Sequence, residues 1–160
     1  MSTELLPEYA YGGARAMVLL HEENMRLFLD AWRAAHAAGL ALPRTEDPTY
    51  ASREALLAHG LGCARGYMRW MCEVLDLGDP GIDPAPGTDR IEAEADRYLA
   101  HVLQAWRAPL APVPEQRFHE PEYASRWKVK YCVDAMLEHA VMHPIRHRFQ
   151  LVELMRAGAA

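Results

Sequence analysis

The feature that most limits how this chain can fold is a rhythm. Four long segments repeat apolar residues at steps of three and four, and three stretches rich in Pro and Gly separate them. Steps of three and four return to one face of an α-helix, so each segment predicts an amphipathic helix with one stripe to bury. In the first, about 14–38, the stripe is Val18, His21, Met25, Phe28, Trp32 and Ala35, with Glu22, Arg26, Asp30 and Arg33 opposite. Gly39 ends it, where a left-handed residue costs least. A loop through Pro43 and Pro48 follows, and Ser52 is placed to cap the second helix, with Glu54 set favourably against the dipole. That helix reaches about Leu77 and turns Leu56, His59, Cys63, Tyr67, Trp70, Val74 and Leu77 inward. Gly60, Gly62 and Gly66 within it each cost roughly 1 kcal/mol against Ala, which points to a neighbour or ligand approaching closely. Past the linker 78–87 the third helix shows Ile91, Ala95, Tyr98, Val102 and Ala105 and stops by Pro109. The fourth, about 125–156, carries Val129, Val133, Met136, Ala140, His143, His147, Gln150 and Leu154 on its inner line.

Four such helices with no strand pattern between them predict an all-α fold, an antiparallel four-helix bundle with long loops and the handedness of its connections open. The 160 residues suit a single domain over the whole span 1–160. Lys and Arg total 17 against 22 Asp and Glu, a net charge of −5, so the excess of clustered cations that nucleic acid requires is missing. No apolar run approaches the ~20 residues of a membrane span. The opening stretch Met1 to Glu8 lacks the basic segment and apolar run of a secretion signal. Cys63, Cys72 and Cys132 are odd in number and form no CxxC pair, so reduced thiols in a cytoplasm are expected.

Histidines stand where leucines should. His59 on the second helix, His143 and His147 on the fourth and His21 on the first all fall on core lines. Burying a polar group without a partner costs roughly 1–3 kcal/mol, so several in one core call for a common cause. His143 and His147 are four apart and therefore stack on one helical face, where their ring nitrogens can converge on one ion. His59 from a facing helix supplies a third ligand. Neutral imidazole suits zinc, nickel, copper and iron, and three protein ligands with an open position make a catalytic rather than a structural site. A lone histidine on an apolar face is more often a hydrogen-bonded core residue, so His21 is read as lining the pocket and not as a ligand. His139, one turn before His143, sits at the edge of the face as an extra ligand or a hydrogen-bond donor to one, and Tyr67 lies on the same inner line as His59. His36 and His101 are read as solvated, and His119 as overhanging one end of the bundle. Pro144 predicts a kink or local opening at the metal-binding turn.

Other chemistries fail on spacing. Glu-x-x-His is absent, which disfavours a carboxylate-rich di-iron bundle, and there is no HExxH, GxSxG or phosphate-binding glycine loop. Cys63 and Cys132 fall mid-helix and are read as small core residues, because a reactive thiolate needs a helix N-terminus or an electropositive setting. Met25, Met136, Trp32 and Trp70 are read as core. A haem would need axial histidines on opposite sides of a flat ring, and two histidines one turn apart suit a small ion better.

The run Leu56-Leu-Ala-His59, together with His143-Pro-Ile-Arg-His147-Arg-Phe-Gln150 in the last helix, resembles the DinB/YfiT-like metalloenzyme superfamily. That family has one histidine early in its second helix and HxxxHRxQ in its last, and its length and four-helix layout match nearly the whole chain. The resemblance implies His59, His143 and His147 as ligands of one divalent ion per chain, zinc or nickel. It gives Arg148 and Gln150 roles in helix packing or in hydrogen bonding to a ligand. It also implies homodimers, and transfer of a low-molecular-weight thiol such as bacillithiol, mycothiol or glutathione to an electrophile, or thiol-assisted isomerisation. A divalent ion on three neutral imidazoles keeps its charge and can acidify a thiol, or water for hydrolysis. A non-catalytic metal or small-ligand binding bundle is the alternative. Phe149, where the family often has a small residue, and Pro144 inside the motif are departures that leave the ligands in place.

Overall fold

The computed structural model describes residues 6–158. Residues 1–5 and 159–160 lie outside the described residues, and with them most of the opening stretch read above for a leader and both ends of the 1–160 span. The chain folds into an all-α bundle: α1 (Gly12–Ala37), a 3-10 turn (Pro48–Tyr50), α2 (Arg53–Val74), α3 (Ile91–Trp106), the one-turn α4 (Gln116–His119), a hairpin of β1 (Tyr123–Ala124) and β2 (Lys130–Tyr131), and α5 (Val133–Gly158).

Local chemistry sets the ends of the elements. Gly39 is left-handed at φ +65°, and two amides close over the last turn of α1: Gly39 donates to the His36 carbonyl and Leu40 to the Ala35 carbonyl. This arrangement satisfies carbonyls that a helix end leaves unpaired. Ser52 Oγ accepts from the Ala55 amide at 3.0 Å and caps α2. The last long helix begins at Val133, not near Ser125. Ser125 caps a turn instead: its Oγ accepts from the Val129 amide, its own amide donates to the Val129 carbonyl, and Lys128 takes φ +66°. The segment 123–131 is therefore a hairpin, with Tyr123 opposite Tyr131, and Val129 is exposed instead of lying on an inner line. α5 then continues as one helix through the buried Pro144, without an opening at that turn.

Contacts between the helices give their directions. Phe28 meets Gly60, and Trp32 Nε1 donates to the Arg53 carbonyl, so α2 descends beside α1. Glu22 pairs with Arg107 and Arg33 with Asp96, so α3 also runs against α1. Tyr50 meets Gln150, His59 meets His143 and Tyr67 meets His139, so α5 runs against α2 and alongside α1. The 75–90 linker makes the α2–α3 connection possible by climbing back along α2: Arg65 Nε donates to the Ile82 carbonyl at 2.7 Å, and Ala85 rests on Gly62. His101 is not simply solvated. It accepts from the Asp83 amide at 3.0 Å and ties this linker to α3.

The predicted stripes are the core. Every inner residue named for α1 is buried, as are Leu56, Tyr67, Trp70, Ile91, Ala95, Tyr98, Val102, Val133, Met136 and Ala140. A Cβ at Gly60 would lie 2.4 Å from the Phe28 ring, so the close approach inferred from the α2 glycines is real there. No described helix is long and apolar enough to cross a membrane.

Candidate metal centre

α2 and α5 run in opposite directions side by side, which brings His59 level with the His143/His147 face. The three rings form a tight group, with centroids 5.0 Å apart for His59 and His143, 5.3 Å for His59 and His147, and 4.7 Å for His143 and His147. His59 Nε2 and His143 Nε2 are 3.1 Å apart. His143 and His147 are buried, and His59 is half-buried at the mouth.

Burial disfavours the charged form of each ring. It pushes His143 down to about 2 and His147 down to about 4, and it lowers His59. The rings are therefore neutral near pH 7, the state in which imidazole binds a metal. Their orientation is also fixed. Gln150 Oε1 accepts from the Tyr50 hydroxyl at 2.7 Å and lies 3.0 Å from His147 Nδ1. The amide oxygen there accepts from the tautomer with the proton on Nδ1, which leaves the lone pair of His147 on Nε2. His147 Nε2 is fully buried and has no hydrogen-bond partner. A buried acceptor without a partner, on a ring edge-on to two other imidazoles, fits a cation beside them.

A cavity of about 580 Å³ opens over the cluster. The 3-10 turn contributes Asp47, Thr49 and Tyr50; α2 contributes His59, Cys63 and Tyr67; the hairpin contributes Trp127; and α5 contributes His139, His143, Arg146, His147 and Gln150. Tyr67 stands edge-on to both His139 and His143, and Trp127 lies against His139 at 5.6 Å. A larger cavity, about 670 Å³, lies between α2 and Asp79, Pro80 and Arg126. Its lining has no group of converging ligand atoms among the described residues.

Other expected residues fall elsewhere. His21 does not line the pocket: it is buried, stacks face to face on Trp106 at 3.7 Å, and neither ring nitrogen has a partner. Burial pushes it down to about 3. The core line of α1 carried it to a separate part of the interior. Arg148 does not line the cavity; Arg146, two residues earlier on α5, does. Cys63 packs against the core, as expected, but is not enclosed by it. It is half-buried in the cavity wall, with Sγ 3.7 Å from both ring nitrogens of His59. His36 is half-buried between Glu54 at 3.6 Å and Glu92 at 3.3 Å, where it joins the ends of α1, α2 and α3. His119 leans on Tyr11 and lies near Glu115 and Asp134, away from the cluster.

Sequence reasoning missed Tyr50, Asp47, Trp127 and Arg146. Tyr50 and Asp47 are in a loop and Trp127 is on a hairpin, where no periodicity marks an inward side. Arg146 is exposed on α5 and enters through its length. Cys63 did carry a signal, since it is one turn beyond His59 on the same face.

Among the described residues, one ligand atom each from His59, Cys63 and His143 lie within 4.8 Å of one another, as do those of His36, Glu54 and Glu92 nearer the surface; His147 belongs to neither group. The chain thus holds a possible metal-binding His/Cys/His group in its cavity. Searches of curated proteins and of solved structures found no match. The model of the DinB family matches residues 49–159, a span that carries the 3-10 turn from its second residue, α2, α3 and α5 and hence all three clustered histidines; the chain belongs to the DinB family.

Proposed function

We propose that this chain is a metal-dependent enzyme of thiol chemistry, in which His59, His143 and His147 hold one divalent transition metal, zinc or nickel. The observation that carries the reading is the buried, unpartnered His147 Nε2 on a ring that stands edge-on to two neutral imidazoles. When bound, such an ion supplies a positive charge that binds a thiol sulfur and lowers its pKa.

The remaining work belongs to the chain's own groups. Gln150 and Tyr50 orient His147. Trp127 and Tyr67 wall the cavity with aromatic surface that excludes water from one side of an electrophile. Arg146, at the cavity edge, places a cation where the carboxylate of a small peptide-like or sugar-acid thiol can dock. The thiolate sulfur forms a bond to the electrophilic carbon, the leaving group departs with the electron pair, and the thiol proton passes to solvent. The chain is further proposed to act as a homodimer, which light scattering reads directly.

Elemental analysis of protein purified without a metal column tests the centre. About one transition metal per chain is expected in the wild type and almost none in His143→Ala. Turnover is tested by following consumption of a low-molecular-weight thiol with an activated aryl halide. Metal without thiol consumption would favour the non-catalytic binding bundle, and release of product from an ester without thiol would favour a hydrolase.

A further inference from the structure

We propose that Trp127 is a stacking platform that selects a flat aromatic ring in the molecule the thiol attacks; the inference rests on the thiol chemistry proposed above and names the class of its electrophile. The chain has four tryptophans. Trp32, Trp70 and Trp106 are buried in the core, whereas Trp127 is 44 % exposed and lines the cavity over the imidazole cluster. An indole left in water forgoes the burial that holds the other three in place. The hairpin does not need it there. Its turn is closed by Ser125, whose Oγ accepts from the Val129 amide, and it is fastened to α2 by Trp70, whose Nε1 donates to the Ala124 carbonyl at 3.1 Å.

The indole offers a face and not a polar edge. Trp127 Nε1 donates to the Tyr131 hydroxyl at 3.3 Å, so its N–H is engaged within the hairpin. Two further rings brace it, Tyr131 with its centroid 5.8 Å away and His139 at 5.6 Å. From His139 the aromatic contacts run without a break to the metal group: His139 meets Tyr67 at 5.4 Å, and Tyr67 meets His143 at 5.7 Å. A ring laid on Trp127 therefore shares one cavity with His59, His143 and His147.

The chemical consequence is a choice between rings of the same size. A flat π-surface meets the indole in an offset stack or edge to face, and such pairs are favoured beyond the area they bury, whereas a saturated ring is thicker and gains the area alone. On that ground an aryl ligand should bind about 2–10-fold more tightly than its cyclohexyl counterpart. The ring takes no part in the bond changes: the thiolate sulfur bonds to the carbon that carries the leaving group, the leaving group departs with the electron pair, and the thiol proton passes to solvent. The contact is present before and during the reaction, so it acts on KM and leaves kcat nearly unchanged.

Acetophenone and cyclohexyl methyl ketone are the binding probes, titrated into the full chain, metal-free and zinc-loaded, while the indole N–H resonances are followed by NMR. The Trp127 resonance is the one missing from Trp127→Phe. Acetophenone should move that resonance and bind the more tightly of the two. Trp127→Leu should bind both ketones alike, Trp127→Phe should keep part of the preference, and both variants should retain the wild-type far-ultraviolet circular dichroism spectrum. In turnover with glutathione, 2-bromoacetophenone should show a lower KM than the bromomethyl cyclohexyl ketone, a difference lost in Trp127→Leu. Equal affinity of the two ketones in the wild type would overturn the proposal, as would a preference for acetophenone that survives in Trp127→Leu. The preference in binding by a chain that purifies without metal would leave the platform standing and overturn the metal reading. Metal and thiol consumption without the preference would do the reverse.

Discussion

Gln150 offers the sharpest test of how the centre is built, because it touches no proposed position of the ion. Its amide oxygen receives the Tyr50 hydroxyl and faces His147 Nδ1. In Gln150→Leu the side chain keeps its bulk but loses that acceptor. His147 is then free to exchange tautomers and to rotate, and a share of the population presents N–H where a lone pair is needed. Removing such an orienting partner typically weakens metal affinity 10–100-fold, or about 1.4–2.8 kcal/mol. Tyr50→Phe removes only the hydroxyl behind the amide, so its effect should be that of one hydrogen bond, about 0.5–1.5 kcal/mol, or roughly 2–10-fold. The assay is competition for zinc between the apo protein and a chromophoric chelator at pH 7.5, with urea midpoints of the apo forms measured alongside. The order wild type, Tyr50→Phe, Gln150→Leu, His147→Ala in decreasing affinity is expected. Equal affinity in wild type and Gln150→Leu, with the apo fold intact, would refute the claim that His147 binds through Nε2 under the control of Gln150.

Three further outcomes can be measured. Burial holds His147 down to about 4 and His143 lower still, so protons should begin to displace the metal only below the ordinary imidazole range near 6.5; a chelator titration showing release centred at or above 6.5 would contradict the buried geometry. His21 is neutral when folded, and its pKa is down to about 3, so between 3 and 6.5 the unfolded chain binds more protons than the folded one. Its contribution is present above 6.5 and is lost as pH falls towards 3, and His21→Leu should flatten the decline of the apo urea midpoint over that window. Gly60→Ala should destabilise by about 1–3 kcal/mol through the clash with Phe28, outweighing the roughly 1 kcal/mol gained in helix propensity; an unchanged urea midpoint would mean the ring moves aside freely.

The bundle was legible because burial and helical period act together along one segment. The six residues of the α1 stripe, from Val18 to Ala35, are buried for that reason, and Gly39 and Ser52 mark ends by local chemistry alone. The start of α5 was not legible. Ser125 serves equally as a helix cap or as the corner of a turn, and Lys128 at φ +66° decides for the turn without leaving a mark on the hydrophobic pattern. The course of the second linker was hidden too, since its anchors, Arg65 on the Ile82 carbonyl and His101 on the Asp83 amide, go to backbone groups that every residue possesses.

The site divides along the same physical line. Spacing says which residues of one helix share a face, so His143 and His147 pair on sequence alone. It does not say how far one helix slides against the next. That offset separates His59, which is level with His143, from His21, which sits on an equally apolar face yet stacks on Trp106. Once the offset between α2 and α5 is fixed by the contact at residues 59 and 143, the rest of the site follows from the helical rise of 1.5 Å per residue. Cys63, four residues further along α2, lies about 6 Å lower, on the side of Tyr67 and His139. Tyr50, before α2 begins, lies on the opposite side, where Gln150 meets it. One contact between two antiparallel helices therefore orders the cavity from end to end. It places a thiol on one side of the imidazole cluster and the groups that orient His147 on the other.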